Sequence, residues 1–238
     1  MFYFLANIVF NFIFDQNKYY KIMGGLDIVT IVIIAINIIV SFKGFENFNF
    51  FNKNKFQISA IQQGEKHRIL TSGFLHVDQM HLIFNMLTLY FFADAVIGRV
   101  GQINFVLIYL GSLIAGSLIA MSFHKKEPFY SAVGASGAVS GILYAAILLN
   151  PGMTLYLYFA IPIPGYIFAI GYLLYSVYGM KKQLGNIGHS AHLGGAIGGY
   201  VLTILLHTSV ISTNRNLVII LAIPIVLMFV FKDKLSKF

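Results

Sequence analysis

The stretch Gly134-Ala135-Ser136-Gly137-Ala138-Val139-Ser140-Gly141 opens an apolar run that continues to Leu149 before Asn150-Pro151-Gly152 closes it. Glycine, alanine and serine at the head of a membrane-length helix let a second backbone approach closely, and such repeats usually serve packing. Here they also leave one hydroxyl, Ser136, beside a bare backbone. A polar side chain at that depth is either bonded to a neighbouring helix or kept for chemistry. A second stretch, Gly188-His189-Ser190-Ala191-His192-Leu193-Gly194-Gly195, puts a histidine at the matching end of a later helix and favours chemistry.

The solvent follows from composition. Of 238 residues, 58% are hydrophobic and 10% charged, and mean hydropathy is +0.80. A water-soluble domain needs far less apolar surface, so most of the chain is expected to lie in lipid. The absence of cysteine excludes disulfides, thiolate nucleophiles and cysteine zinc sites. The formal charge of +8 sits mostly between apolar runs, where it suits anionic headgroups and gives no reason to invoke nucleic acid.

Outward from the glycine-rich run, the hydropathy pattern predicts an all-α polytopic membrane protein without a soluble domain. Residues 1–25 read as an N-terminal interfacial segment, without the basic lead and small-residue cleavage site of a signal peptide. Spans are expected over Leu26–Phe42, Met80–Ile97, Ile103–Phe123, Gly134–Leu149, from about Gly165 to Tyr178, and over Ala191–His207. Pro162 and Pro164 imply a bent or interfacial approach to the fifth. The loop from Gly44 to Gln79, rich in phenylalanine, is expected to be ordered and partly in the interface. A seventh span over Leu217–Phe231 and a basic tail fill residues 208–238.

Because successive spans alternate in direction, the second, fourth and sixth start from one side of the membrane. His81, Ser136 and His192 stand near those starts, and Asn85 lies one helical turn beyond His81 on the same face. Ser136 can lose a proton, and His192 is the residue type that accepts one near neutral pH. His81, Asn85 and the Ser136 backbone N–H can donate to a developing oxyanion. No acidic residue falls on the helix beside His192, so a dyad with a histidine held by packing is expected. Ala138 departs from the nucleophile elbow of soluble hydrolases.

Together these residues resemble the rhomboid intramembrane serine proteases. The likeness rests on Gly134-Ala135-Ser136-Gly137, on Ala191-His192 followed by Gly195 and Gly199, and on His76, His81 and Asn85. It covers the chain from about Leu26 to His207 and implies a six-helix catalytic core over 26–207, with the seventh helix an addition. By position, Ser136 is then the nucleophile and His192 the general base. His81 and Asn85 stabilise the oxyanion, and Gly134, Gly137, Gly195 and Gly199 pack helices at the site. The implied substrates are single-pass transmembrane proteins, cut within or beside the membrane without cofactor or metal.

The resemblance also implies that the bent approach to the fifth span belongs to the substrate gate. It places the protein in the cell (plasma) membrane as a multi-pass protein whose active site opens to the extracytoplasmic side. Counting Lys and Arg points the other way, and the resemblance is followed because the crowded first loop is a poor subject for charge counting. Three positions depart from the family's habits. His67-Arg68 stands where Trp-Arg is common, and Ser140 where an aromatic often packs on the histidine. No glutamate follows the second helix, although Asp94 is near and Arg99 is retained. Two other classes remain: a non-catalytic rhomboid-like binder of membrane proteins, and a transporter with a metal site built from His189, His192, His76 and His81.

Overall fold

The computed structural model describes residues 26–157, 161–182, 184 and 188–230, so the interfacial segment expected over residues 1–25 lies outside it. Helix α1 (Ile28–Glu46) starts at Asp27, whose carboxylate accepts the Val29 N–H. It ends where Asn47 turns extended and caps the short α2 (Phe48–Asn54) by accepting the Phe50 N–H. One face of α1, Thr30, Ile33, Asn37, Ser41 and Gly44, is buried. Ile31, Val32, Ile36, Ile39 and Phe42 are exposed. The outward face is thus more apolar than the packed one, the reverse of a helix in water and the pattern of a helix solvated by lipid.

The first loop is folded. It holds α2, the two-residue strand β1 (Phe56–Gln57), α3 (Ile58–Gln62), α4 (Arg68–Thr71) and a 3-10 turn at Ser72–Phe74. Arg68, 6% exposed, ties it together. Its guanidinium donates to the carbonyls of Asn52 and Lys55 at 2.6 and 2.9 Å and to Glu65 at 2.7 Å. Strand β2 (Ser131–Ala132) pairs antiparallel with β1, joining this loop to the residues just ahead of Ser136.

Helix α5 (Gln79–His124) is two limbs in one run, broken where Gly101 has φ 78°. The second and third expected spans therefore meet at that glycine, with Gly98, Arg99 and Val100 still helical. Helices α1 and α5 are long and apolar enough to cross a membrane. Helix α6 (Ser136–Leu149) is buried at every position after Ser136. Around it stand α5, α7 (Gly165–Lys182) and α8 (His189–Leu206), followed by α9 (Val210–Thr213) and α10 (Arg215–Val230), the last with Pro224 inside.

Two expectations need correction. The proline-rich approach to the fifth span is a β-hairpin, β3 (Thr154–Leu157) against β4 (Ile161–Pro164), with Thr154 opposite Pro164 and Tyr156 opposite Pro162. Alternate residues of a strand point their N–H groups to one side, so the two prolines remove donors only from the outer edge. The hairpin also follows the C-terminus of α6, roughly 20 Å along the helix axis from Ser136. The bent approach therefore lies at the end of the bundle away from Ser136 and cannot gate it directly. The fourth helix, in turn, begins at Ser136. Gly134 has φ 130°, which no right-handed helix accommodates.

Candidate active site

The two residues before Ser136 are fixed by the first loop. The Gly134 N–H donates to the Ser72 carbonyl at 3.0 Å, and the Ala135 N–H to His76 Nε2 at 3.3 Å. On its other side His76 Nδ1 lies 2.8 Å from Ser41 Oγ, and Ser41 gives its own proton to the Phe74 carbonyl. That order of donors makes His76 the Nδ1–H tautomer. Burial, and secondarily the neighbouring His81, lowers its pKa to about 3, so it is a neutral link between α1 and the loop before Ser136.

Gly134 is needed twice over. Its φ suits a residue without Cβ. A Cβ there would also lie 2.7 Å from His81 Cε1, 2.8 Å from His81 Nε2 and 3.6 Å from Ser136 Oγ. The His81 imidazole and the Ser136 hydroxyl therefore flank the same point. The Asp78 carboxylate accepts the His81 N–H at 2.7 Å and starts α5. Asn85, one turn on, directs its amide at the His81 carbonyl, 2.9 Å away on the same helix.

His192 reaches Ser136 from α8. Its Nε2 lies 2.6 Å from Ser136 Oγ, and its Nδ1 is buried with no hydrogen-bond partner among the described residues. Glycines permit the approach. A Cβ on Gly195 would stand 1.9 Å from the Gly137 carbonyl oxygen, and one on Gly199 2.2 Å from that of Gly141. Ala191 passes its carbonyl to within 3.3 Å of a Cβ on Gly137 and 2.6 Å of one on Gly116. Helices α6, α8 and the second limb of α5 thus touch backbone to backbone, which only the smallest residues allow.

Other side chains are engaged elsewhere. His189 Nε2 bonds the Leu184 carbonyl at 3.1 Å, and Arg99 donates to Asn150 Oδ1 at 3.3 Å at the far end of α6. His67 is exposed, with Nε2 3.2 Å from the Lys53 carbonyl. Among the described residues no three His, Asp or Glu side chains form a metal-ligand group. A cavity of about 420 Å³ between Pro151, Tyr166, Asn214 and Arg215 lies at the end of α6 remote from Ser136. The anchoring of the Ala135 N–H by His76 was not visible in the sequence, where His76 has no helical partner to mark it.

Fold and site together describe an all-α membrane protein with a serine and a histidine joined inside a glycine-lined helix packing. The family model for the rhomboid domain matches residues 63–209, and the chain belongs to the rhomboid family. It is 37% identical over 142 residues to the rhomboid protease GluP of Bacillus subtilis, covering 60% of this chain and 26% of that protein. With the putative rhomboid protease YdcA of the same bacterium it shares 34% over 147 residues, 61% of this chain and 70% of the relative. With the mitochondrial RHOMBOID-like protein 12 of Arabidopsis thaliana it shares 33% over 163 residues, 61% of this chain and 48% of the relative. The chain thus spans about half or less of several of the relatives it matches. Membership makes it a membrane protein of a family that includes serine proteases.

Proposed function

We propose that the chain is an intramembrane serine endopeptidase that cleaves single-pass transmembrane proteins within or near the bilayer. The observation that carries this is the 2.6 Å contact between Ser136 Oγ and His192 Nε2, made where both residues are walled in by glycine packing. In the reaction His192 Nε2 takes the Ser136 proton as Oγ bonds to the scissile carbonyl carbon. The carbonyl oxygen becomes an oxyanion, which the Ser136 backbone N–H and the His81 and Asn85 side chains receive. Ser136 is the first residue of α6, so its N–H has no acceptor within the helix, and the positive helix end favours the anion. His192 then gives its proton to the departing amine. Water, activated by the same imidazole, releases the acyl-enzyme and restores both groups.

Support for the protease over a silent binder comes from the completeness of the pair and from two relatives named as rhomboid proteases. We take the membrane to be a cell membrane and the dyad to open on its extracytoplasmic side. Several relatives are named mitochondrial, and in an organelle the same geometry would serve on an inner membrane. The test is cleavage of a single-pass model substrate in liposomes, together with labelling by a fluorophosphonate. The intact chain is expected to cleave and to label, and Ser136→Ala and His192→Ala to do neither at more than about 1% of its rate. A chelator is expected to change nothing. An intact chain that binds substrate without cleaving or labelling would establish the binder instead, and cleavage surviving Ser136→Ala would remove the nucleophile assignment.

A further inference from the structure

Ser140 occupies the place one turn below the nucleophile, and its single proton is committed: Ser140 Oγ donates to the Ser136 carbonyl at 2.7 Å. The oxygen of Tyr172, on α7, lies 2.5 Å from Ser140 Oγ. With the serine proton already given, the tyrosine must be the donor in that contact. A directed chain therefore runs from the Tyr172 hydroxyl through Ser140 to the backbone of the nucleophile itself. The other end of Tyr172 meets the histidine. Its ring lies nearly parallel to the His192 imidazole, with centroids 6.2 Å apart and planes 22° from each other. Phe168 and Tyr144 brace the tyrosine at centroid distances of 6.1 and 6.4 Å, and only 7% of Tyr172 is exposed.

His192 has this ring beside it and no partner on Nδ1 among the described residues. Nothing polar therefore fixes the rotation of its imidazole from that side. An offset aromatic at this distance restrains the ring plane through its edge and face preferences. We propose that Tyr172 is a positioning residue for His192: its ring sets the imidazole plane, while its hydroxyl, held by Ser140, locks that ring to the backbone of Ser136. One side chain from α7 then registers base and nucleophile against each other. The inference rests on the protease reading above and extends it to a residue on a third helix.

The test compares Tyr172→Phe, Tyr172→Leu, Ser140→Ala and the double variant Tyr172→Phe/Ser140→Ala in liposomes. Rates are counted per fluorophosphonate-labelled site, so unfolded protein does not enter kcat. Tyr172→Phe keeps the ring and loses the anchor, and kcat is expected to fall about threefold to tenfold with KM within twofold. Tyr172→Leu removes the ring, with an expected fall in kcat of about 100-fold. Ser140→Ala, which also removes the bond to the Ser136 carbonyl, should lose at least as much as Tyr172→Phe, and the double variant should be no worse than Ser140→Ala, because the tyrosine hydroxyl acts only through Ser140.

Unchanged kcat per labelled site in both Tyr172→Phe and Tyr172→Leu, or losses that multiply in the double variant, would overturn the proposal while leaving the protease intact. A rise in KM alone would also overturn it, assigning the tyrosine to substrate contact. If Tyr172→Leu fails to fold, Tyr172→Phe and the double variant decide. An intact chain that neither labels nor turns over would instead remove the protease reading and this inference with it.

Discussion

Gly134 and Gly195 carry different burdens although both are glycines beside the dyad. Gly134 is held at φ 130° with the His81 ring against its Cα hydrogen. Gly134→Ala should therefore lower stability by about 1–3 kcal/mol and displace His81, with cleavage falling by more than tenfold. Thermal unfolding and turnover measured on one preparation would separate the two effects. Gly195 is ordinary helix, but its neighbour at 1.9 Å is backbone and cannot step aside. Gly195→Ala should force α6 and α8 apart, costing about 1–3 kcal/mol or preventing assembly altogether. Gly171 is the control: it is exposed in the middle of α7 with nothing within 4 Å of an added Cβ. Gly171→Ala should be stabilising by about 0.5–1 kcal/mol, read as a higher melting temperature. All three are one-letter equivalents in the sequence, and only the position of the neighbouring backbone tells them apart.

Helices were easier to read than the pieces between them. The runs at Leu26, Met80, Ile103 and Ala191 are visible because lipid demands long apolar stretches, and the described helices follow them to within about a turn. The alternation of span direction brought Ser136 and His192 to one end of the bundle. The hairpin was missed because Pro162 and Pro164 forbid helix equally well in a bend and on a strand edge, and pairing with Thr154 and Tyr156 leaves no local mark. Tyr172 was missed for a similar reason: its contacts with Ser140 and His192 join three helices. In the first loop, Arg68 is the staple whose role depends on holding two backbone carbonyls, those of Asn52 and Lys55, together. Arg68→Ala should cost about 2–3 kcal/mol and speed proteolysis between residues 47 and 68. Arg68→Lys should restore little, since an ammonium cannot serve two carbonyls and a carboxylate at once. Pro162→Ala, at the end remote from Ser136, should leave kcat within about twofold.

For the molecule as a whole, a chain free of cysteine is suited to mapping which side of the bilayer holds the dyad. Lys126, in the exposed turn after α5, stands at the end of the bundle shared with the start of α8, and Gly98 is exposed near the break at the other end. Lys126→Cys should react with a membrane-impermeant maleimide added outside right-side-out vesicles, and Gly98→Cys only after permeabilisation. The opposite pattern would turn the dyad to the inside. Helix α6 bears on the same question. Its 14 residues make roughly 21 Å of rise against a hydrocarbon core of about 30 Å. Sheathed on all sides by protein, it is free of the length rule that lipid imposes on its neighbours. In such a core it cannot reach both faces, and on the protease reading proposed above a scissile bond would be met at the fixed height set by its Ser136 end. The pillar works as a depth gauge: thickening the bilayer with longer acyl chains should move the cut along a substrate helix by about one residue per 1.5 Å of added height.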